Sequence, residues 1–258
     1  MSGSLRLGSV LALVLLAATA CAKPAVPSKG AAAEPQPERP RLTAYRYGVS
    51  PDMHWLFYSL RKDGKTILID CGFLDEDRAR AFKVEMVSPL VMLDRDGIIP
   101  ADVTDIVITH AHFDHLGLAS SFPNATIWIH EEAYASFMKA PFSKTLAAYL
   151  AEYPRVNQVR TDGQILPGIA MELVGTHTRG SCVVHLDLAG TPATITGDEF
   201  YFRHEWEQPS SSFPPAKLAL AERLRALEAA GGLVLAMHDQ GVAPEGSAAE
   251  GSIKVVYP

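Results

Sequence analysis

The sequence predicts an α/β fold, an αββα sandwich of two mixed sheets flanked by helices. Three observations carry that expectation. Short runs rich in apolar and β-branched residues fall into two blocks, Thr43 to Ile129 and Val156 to Thr196, with helical stretches between and after them. Residues able to bind a metal stand just past several such runs, at His110, His177, Asp198 and His238, and active sites of layered α/β proteins gather at strand ends of this kind. Composition agrees: 258 residues, 48% hydrophobic and 20% charged, suffice for a sizeable core, most simply in one domain.

The N-terminus stands apart from the fold. Arg6 precedes an apolar stretch, Leu7 to Ala20, that is too short to span a bilayer comfortably as a mature helix. The run Ala17-Ala18-Thr19-Ala20-Cys21 resembles a bacterial lipoprotein signal, which implies that residues 1–21 are the signal and that Cys21 becomes the lipidated first residue. Ala18 stands where leucine is usual, so an ordinary secretory signal cleaved nearby is the alternative. Either route implies an exported protein, periplasmic or anchored to the outer membrane through its N-terminal lipid alone. Residues 22–41, rich in Pro and Ala, read as an extended tether, which leaves 42–258 as the domain. Of three cysteines, Cys71 and Cys182 fall in that domain, in or beside apolar segments. They read as small buried hydrophobes, with a mutual disulfide as the alternative in an oxidising compartment.

The first block opens with strands at Thr43 to Gly48, Trp55 to Leu60 and Thr66 to Asp70, the last two joined by an Asp63-Gly64 hairpin turn. A helix over Asp75 to Met92, interrupted near Ser88-Pro89, leads to the strand Ile106 to Thr109. Thr126 to Ile129 is a further strand, followed by helices near Glu131 to Lys139 and Ser143 to Glu152. The second block is Val156 to Gln158, Gln164 to Leu166, Ile169 to Val174, Val183 to Leu188 and Ala193 to Thr196. The clearest helix is Pro215 to Ala230, with proline near its start and Gly231-Gly232 at its end. It feeds a strand over Leu233 to Met237, and a short tail closes the chain.

The segment Thr109-His110-Ala111-His112-Phe113-Asp114-His115-Leu116-Gly117 packs four metal-competent side chains into six positions after an apolar run. Such a turn can aim His110 and His112 at one ion while Asp114 and His115 reach a second. Imidazole nitrogen and carboxylate oxygen are ligands that zinc accepts. One turn cannot close two coordination shells, so partners must come from His177, Asp198 and His238. The other histidines, His54, His130, His185 and His204, read as strand residues (His130, His185) or as residues at the cleft mouth (His54, His204). A formal charge of -6 and the lack of any long basic run argue against a nucleic-acid partner. No G-x-S-x-G elbow and no glycine-rich phosphate loop competes with the metal reading.

From about Thr43 to the C-terminus the chain resembles the metallo-β-lactamase superfamily, through the ordered series ILIDCG, THAHFDHLG, GTHTRGS, TGDEFY and MHDQ. The resemblance implies a metallo-β-lactamase-like sandwich holding two zinc ions, although other divalent metals accept the same ligands. It gives His110, His112 and His177 to one ion, Asp114, His115 and His238 to the other, and makes Asp198 the bridge. Asp70 would steady a ligand histidine, its alternative being a strand-end turn residue. Ser181 would order the loop after His177.

Two divalent ions flanking one water make hydroxide available near neutral pH, and Asp114 can pass a proton to the leaving group. Within the superfamily, the segment from Thr196 onward is most similar to the N-acyl-homoserine lactonases, where a tyrosine three residues past the bridging aspartate binds the substrate carbonyl; Tyr201 has that spacing. The expected function is therefore an exported dinuclear zinc hydrolase that opens a small-molecule lactone. Arg179 stands where proline is usual and Glu199 adds a carboxylate beside Asp198, two departures that bear on the substrate. The alternatives are hydrolysis of a β-lactam or thioester at the same site, or a non-catalytic metal-binding lipoprotein.

Overall fold

Alternation along the strands splits their apolar side chains between two faces and so dictates a layered molecule. In the computed structural model the described residues are 39–73, 76–244, 246 and 250–258, so the expected signal, Cys21 and most of the tether lie outside them. On β1 (Arg41–Val49), Leu42 and Ala44 enter one core while Tyr45 and Tyr47 enter another. On β2 (His54–Lys62), Leu56, Tyr58 and Leu60 join the first set, and Trp55 and Phe57 join the second. β3 (Lys65–Ile69) repeats the pattern, and the Asp63-Gly64 turn before it has positive φ at both residues, 52° and 72°, as a tight hairpin requires.

The chain continues through α1 (Glu76–Ala81), β4 (Glu85–Met86), α2 (Pro89–Arg95), β5 (Asp105–Ile108), β6 (Thr126–His130), α3 (Glu131–Lys139), α4 (Lys144–Glu152) and β7 (Val156–Val159). Among the described residues these strands form one sheet in the order β13-β1-β2-β3-β5-β6-β7, with β4 paired to β1 and β13 spanning Ser252–Tyr257. The second sheet runs β12-β11-β10-β9-β8, from β8 (Gly163–Leu166), β9 (Ile169–Leu173), β10 (Cys182–Leu188), β11 (Thr191–Ile195) and β12 (Leu233–Leu235). Both sheets are mixed: β3, β5, β6 and β7 pair in parallel, as do β11 and β12, and the remaining neighbours are antiparallel.

Three cores separate four layers. The inner one lies between the sheets, with Leu42, Tyr58 and Val107 facing Met171, Val184 and Ile195. An outer core joins the first sheet to the helices through Phe73, Ile106, Ile127, Phe137 and Leu150. The other joins the second sheet to α5 (Arg203–Glu207) and α6 (Pro215–Ala229) through Val183, Trp206, Leu220 and Leu224. This is the αββα sandwich read from the sequence. No helix of the described residues is long and apolar enough to cross a membrane.

Several boundaries differ from expectation. The helix expected over Asp75 to Met92 is two helices, because Lys83 turns into the left-handed region (φ 57°) and Glu85–Met86 pairs with β1. α2 then runs on to Arg95. Arg41, assigned to the tether, begins β1 and pairs with Arg61. The tail is a strand, β13, which completes the sheet edge against β1. Cys71 and Cys182 are free and buried, in line with the reading of small buried hydrophobes.

An ion-pair network pins α6 to the second sheet. Glu172 on β9 accepts from Arg223 at 2.5 and 2.9 Å and lies 3.0 Å from His185 Nε2 on β10. The hydrogen bond from His185, aided by Arg223 and opposed by burial, lowers its pKa to about 2. A depressed carboxylate pKa contributes stability above its unfolded value and loses it as pH falls through the folded value. With Glu172 21% exposed and Arg223 55% exposed, solvent screening leaves about 1–2 kcal/mol. Glu172→Gln is expected to lower unfolding stability by that amount at pH 7 in urea melts, with the gap narrowing from about pH 5 to about pH 2.

Candidate metal centre

The site begins where β5 ends. Asp70, just past β3, takes the left-handed conformation (φ 58°) that a short polar side chain tolerates. Its carboxylate accepts from the Thr109 N–H at 2.8 Å, the Thr109 hydroxyl at 2.7 Å and His115 Nδ1 at 2.7 Å. With Nδ1 donating to Asp70, His115 Nε2 faces inward. The turn itself is closed by the His115 and Leu116 N–H groups, which donate to the His112 carbonyl at 3.2 and 2.9 Å.

His177 lies on the loop between β9 and β10. Gly180 in that loop has φ 86°, and a Cβ there would lie 2.2 Å from Ala133 N, so only glycine lets the loop press against the start of α3. Asp198 sits in a 3₁₀ turn, Gly197–Glu199, after β11. His238 follows β12, and its Nδ1 donates to the His54 carbonyl at 2.8 Å while the His54 N–H donates back to the His238 carbonyl at 3.1 Å. That pair of bonds also directs His238 Nε2 into the site.

These residues converge as two groups of four, His110, His112, His177 and Asp198, and Asp114, His115, His238 and Asp198. In the first, His112 Nδ1 lies 3.0 Å from His110 Nε2 and 3.2 Å from His177 Nε2, and Asp198 Oδ2 lies 3.3 Å from His177 Nε2. In the second, His115 Nε2 and His238 Nε2 each lie 3.2 Å from Asp198 Oδ1, and His115 Nε2 lies 3.2 Å from Asp114 Oδ2. The two oxygens of Asp198 are thus divided between the groups.

The donors fit divalent metal. Four ligands about 2.0–2.1 Å from a tetrahedral zinc stand roughly 3.3 Å from one another. The donor pairs given above, together with two longer contacts, His110 to Asp198 and His238 to Asp114, run from 3.0 to 3.7 Å. His115 Nε2 and Asp198 Oδ1 are buried with no hydrogen-bond partner despite their 3.2 Å separation, so a cation between them would satisfy both. Charge points the same way. Burial pushes His110, His112 and His177 below the usual imidazole range, which keeps their lone pairs available. Burial disfavours charge on His115 as well, but Asp114, Asp198 and Asp70 outweigh it and raise its pKa well above the usual range. Burial also opposes the ionised form of Asp198, yet His115, His238 and His110 hold it well below the usual carboxylate range. A cluster that draws in positive charge this strongly is suited to cations.

Tyr201 stands beside the site, its ring 5.7 Å from that of His177 and 5.1 Å from that of His238, with its hydroxyl 3.4 Å from His177 Nδ1. Ser181 does bind within the His177 loop, accepting from the Thr178 N–H at 3.1 Å. The sequence reads His54 and His204 as residues of the cleft mouth. His54 is buried at the start of β2 and reaches the site only through its carbonyl, while exposed His204 stacks on Phe202. Sequence reasoning missed Thr109, His54 and Glu199 as supports of the site. Thr109 was legible as the strand-end hydroxyl beside His110, but the other two act across long sequence separations.

The sequence profile of the metallo-beta-lactamase superfamily matches residues 56–241. A probable metallo-hydrolase of Mycobacterium bovis is 26% identical over 190 residues, 62% of this chain and 61% of that protein. An N-acyl homoserine lactonase of a Bacillus species is 28% identical over 145 residues, 53% of this chain and 55% of that protein. The chain therefore spans between half and two thirds of the length of these relatives. A crystal structure of a quorum-quenching N-acyl homoserine lactone lactonase superposes with a TM-score of 0.64 at 18% identity, covering 78% of this chain and 94% of that one. Profile and sandwich agree, and the chain belongs to the metallo-beta-lactamase superfamily.

Proposed function

We propose that the protein is an exported dinuclear zinc hydrolase that opens the ring of N-acyl-homoserine lactones. The observation that carries this reading is the division of Asp198 between two four-residue groups. His110, His112, His177 and Asp198 would hold one ion, and Asp114, His115, His238 and Asp198 the other. When bound, such a pair supplies a water of lowered pKa and a Lewis acid for the carbonyl.

The chain's own residues supply the rest. His177 offers Nε2 to the site, so Nδ1 carries its proton and donates to the Tyr201 hydroxyl. That leaves the phenolic hydrogen free for the substrate carbonyl, and burial, reinforced by Asp198 and Asp114, keeps the phenol protonated by raising its pKa. Asp114 stays ionised because His115 and His238 outweigh the burial that opposes it. It is placed to take the proton of the attacking water and deliver it to the leaving oxygen.

The lactone reading draws on Tyr201 and on the lactonase likeness in both sequence and fold. Tyr201→Phe is expected to lower kcat/KM on lactones about tenfold, the effect of one hydrogen bond of about 1.4 kcal/mol; an unchanged rate on every lactone removes Tyr201 from the mechanism. The reading as a whole is tested by rates of the zinc-loaded protein on short and long acyl-homoserine lactones, a cephalosporin, a glutathione thioester and a phosphodiester. Fastest turnover of the lactones is expected, and preference for another bond would reassign the substrate. Support for export comes from Arg6, the apolar stretch to Ala20 and Cys21, and an exported enzyme would stand in the periplasm or on the outer membrane. Incorporation of a labelled fatty acid that is lost in Cys21→Ala tests the lipid anchor.

A further inference from the structure

Glu199 is fully buried next to Asp198, and the hydrogen bonds given to its carboxylate all come from the loop that carries His177. The Thr176 N–H donates to Oε1 at 3.2 Å and the His177 N–H donates to the same oxygen at 3.4 Å. The Thr176 hydroxyl donates to Oε2, and the Ser181 hydroxyl reaches Oε1 at 2.5 Å. Around this hub the loop closes on itself, with the N–H groups of Val174 and Gly175 both donating to the Ser181 carbonyl at 3.0 and 2.9 Å. A buried carboxylate is costly unless donors surround it, and here the donors are the backbone and hydroxyls that set the position of one histidine.

The support is one-sided. The Asp114, His115 and His238 group is braced by different atoms, the Asp70 carboxylate on His115 and the His54 carbonyl on His238. Glu199 braces only the other group, and it does so from the same 3₁₀ turn that presents Asp198. The turn thus fixes two of the four residues of that group: Asp198 directly, and His177 through Glu199.

We propose that Glu199 is the positioning residue of the His110, His112, His177 and Asp198 subsite, and that its carboxylate governs how tightly that subsite alone retains its ion. The proposal rests on the dinuclear reading. Glu199→Gln leaves a carbonyl oxygen for the three donors on Oε1, but it removes the negative charge and puts an NH2 where the Thr176 hydroxyl donates, so the bonds that hold the His177 loop weaken.

The test uses the full chain, stripped of metal and titrated with Co2+, read by calorimetry and by the visible absorbance of the bound ion. The parent is expected to bind two ions, one per group. Glu199→Gln should keep one at parental affinity and bind the other about 10–100-fold more weakly, the usual effect of losing a group that supports a ligand. Thr176→Val and Ser181→Ala, which each remove one donor, should weaken the same subsite by a smaller factor, and Glu199→Asp should recover part of the loss. Parental affinity at both subsites in Glu199→Gln, or equal weakening of both, overturns the assignment. If Glu199→Gln does not fold, the two single-donor variants decide, and unchanged Co2+ binding in both overturns it equally. A parent that binds fewer than two ions overturns the dinuclear reading and this assignment with it, a result distinct from a two-ion parent whose variants are unchanged.

Discussion

Asp198→Ala is expected to abolish turnover and to loosen both metal subsites at once. Asp198 is the one residue shared by the two groups, giving Oδ2 to His110 and His177 at 3.6 and 3.3 Å and Oδ1 to His115 and His238 at 3.2 Å each. Removing the carboxylate takes each group from four ligands to three and leaves five imidazoles crowded without their shared anion. Loss of the charge stabilisation that a metal pair gives a transition state, several kcal/mol, corresponds to a fall in kcat of about a thousandfold or more. The checks are kcat on the best lactone and the metal content of the same sample, with circular dichroism to show that the sandwich persists. A variant that retains both ions would remove Asp198 from the bridging position.

His112→Ala isolates one half of that effect. His112 Nδ1 lies 3.0 Å from His110 Nε2 and 3.2 Å from His177 Nε2, while its direct link to the other group is through its backbone, whose carbonyl accepts from the His115 N–H and survives truncation to alanine. Its ring is only partly buried, so truncation leaves a gap that water can enter rather than a void in the core. One ion is expected to be lost and the other kept, with kcat lowered by about a hundredfold to a thousandfold. Metal analysis separates this outcome from that of Asp198→Ala. Loss of both ions from His112→Ala would mean that the subsites do not bind independently.

The residues that converge in the two groups were legible because they follow strands whose apolar runs mark where the backbone stops. Ile106–Ile108 delivers His110, and Ala193–Ile195 delivers Asp198 to the same edge. For Asp70, strand-end placement left a turn residue open as the alternative, and its supporting part came from the family resemblance; the structure sets it past β3 beside the strand that carries the turn. What stayed hidden depends on contacts that spacing does not encode. β13 reads as a tail because its strand character lies in pairing with β1, Tyr257 against Leu42, across most of the chain. The break after Ala81 is set by Lys83 in the left-handed region and by β4 meeting Val49, and the helical apolar pattern of Asp75 to Met92 carries no trace of either. His54 supports His238 with a carbonyl, which any residue could supply, so its side chain was misleading. Glu199 looked like an extra charge beside a ligand until the fold placed it under the His177 loop.

The central claim is that two ions share Asp198, and metal stoichiometry tests it most directly. Purified full-length protein, stripped with chelator, reloaded with zinc and freed of excess, should retain about two zinc ions per chain by elemental analysis, one for each four-residue group. Retention of one ion would contradict the dinuclear account, and retention of none would contradict the metal centre itself.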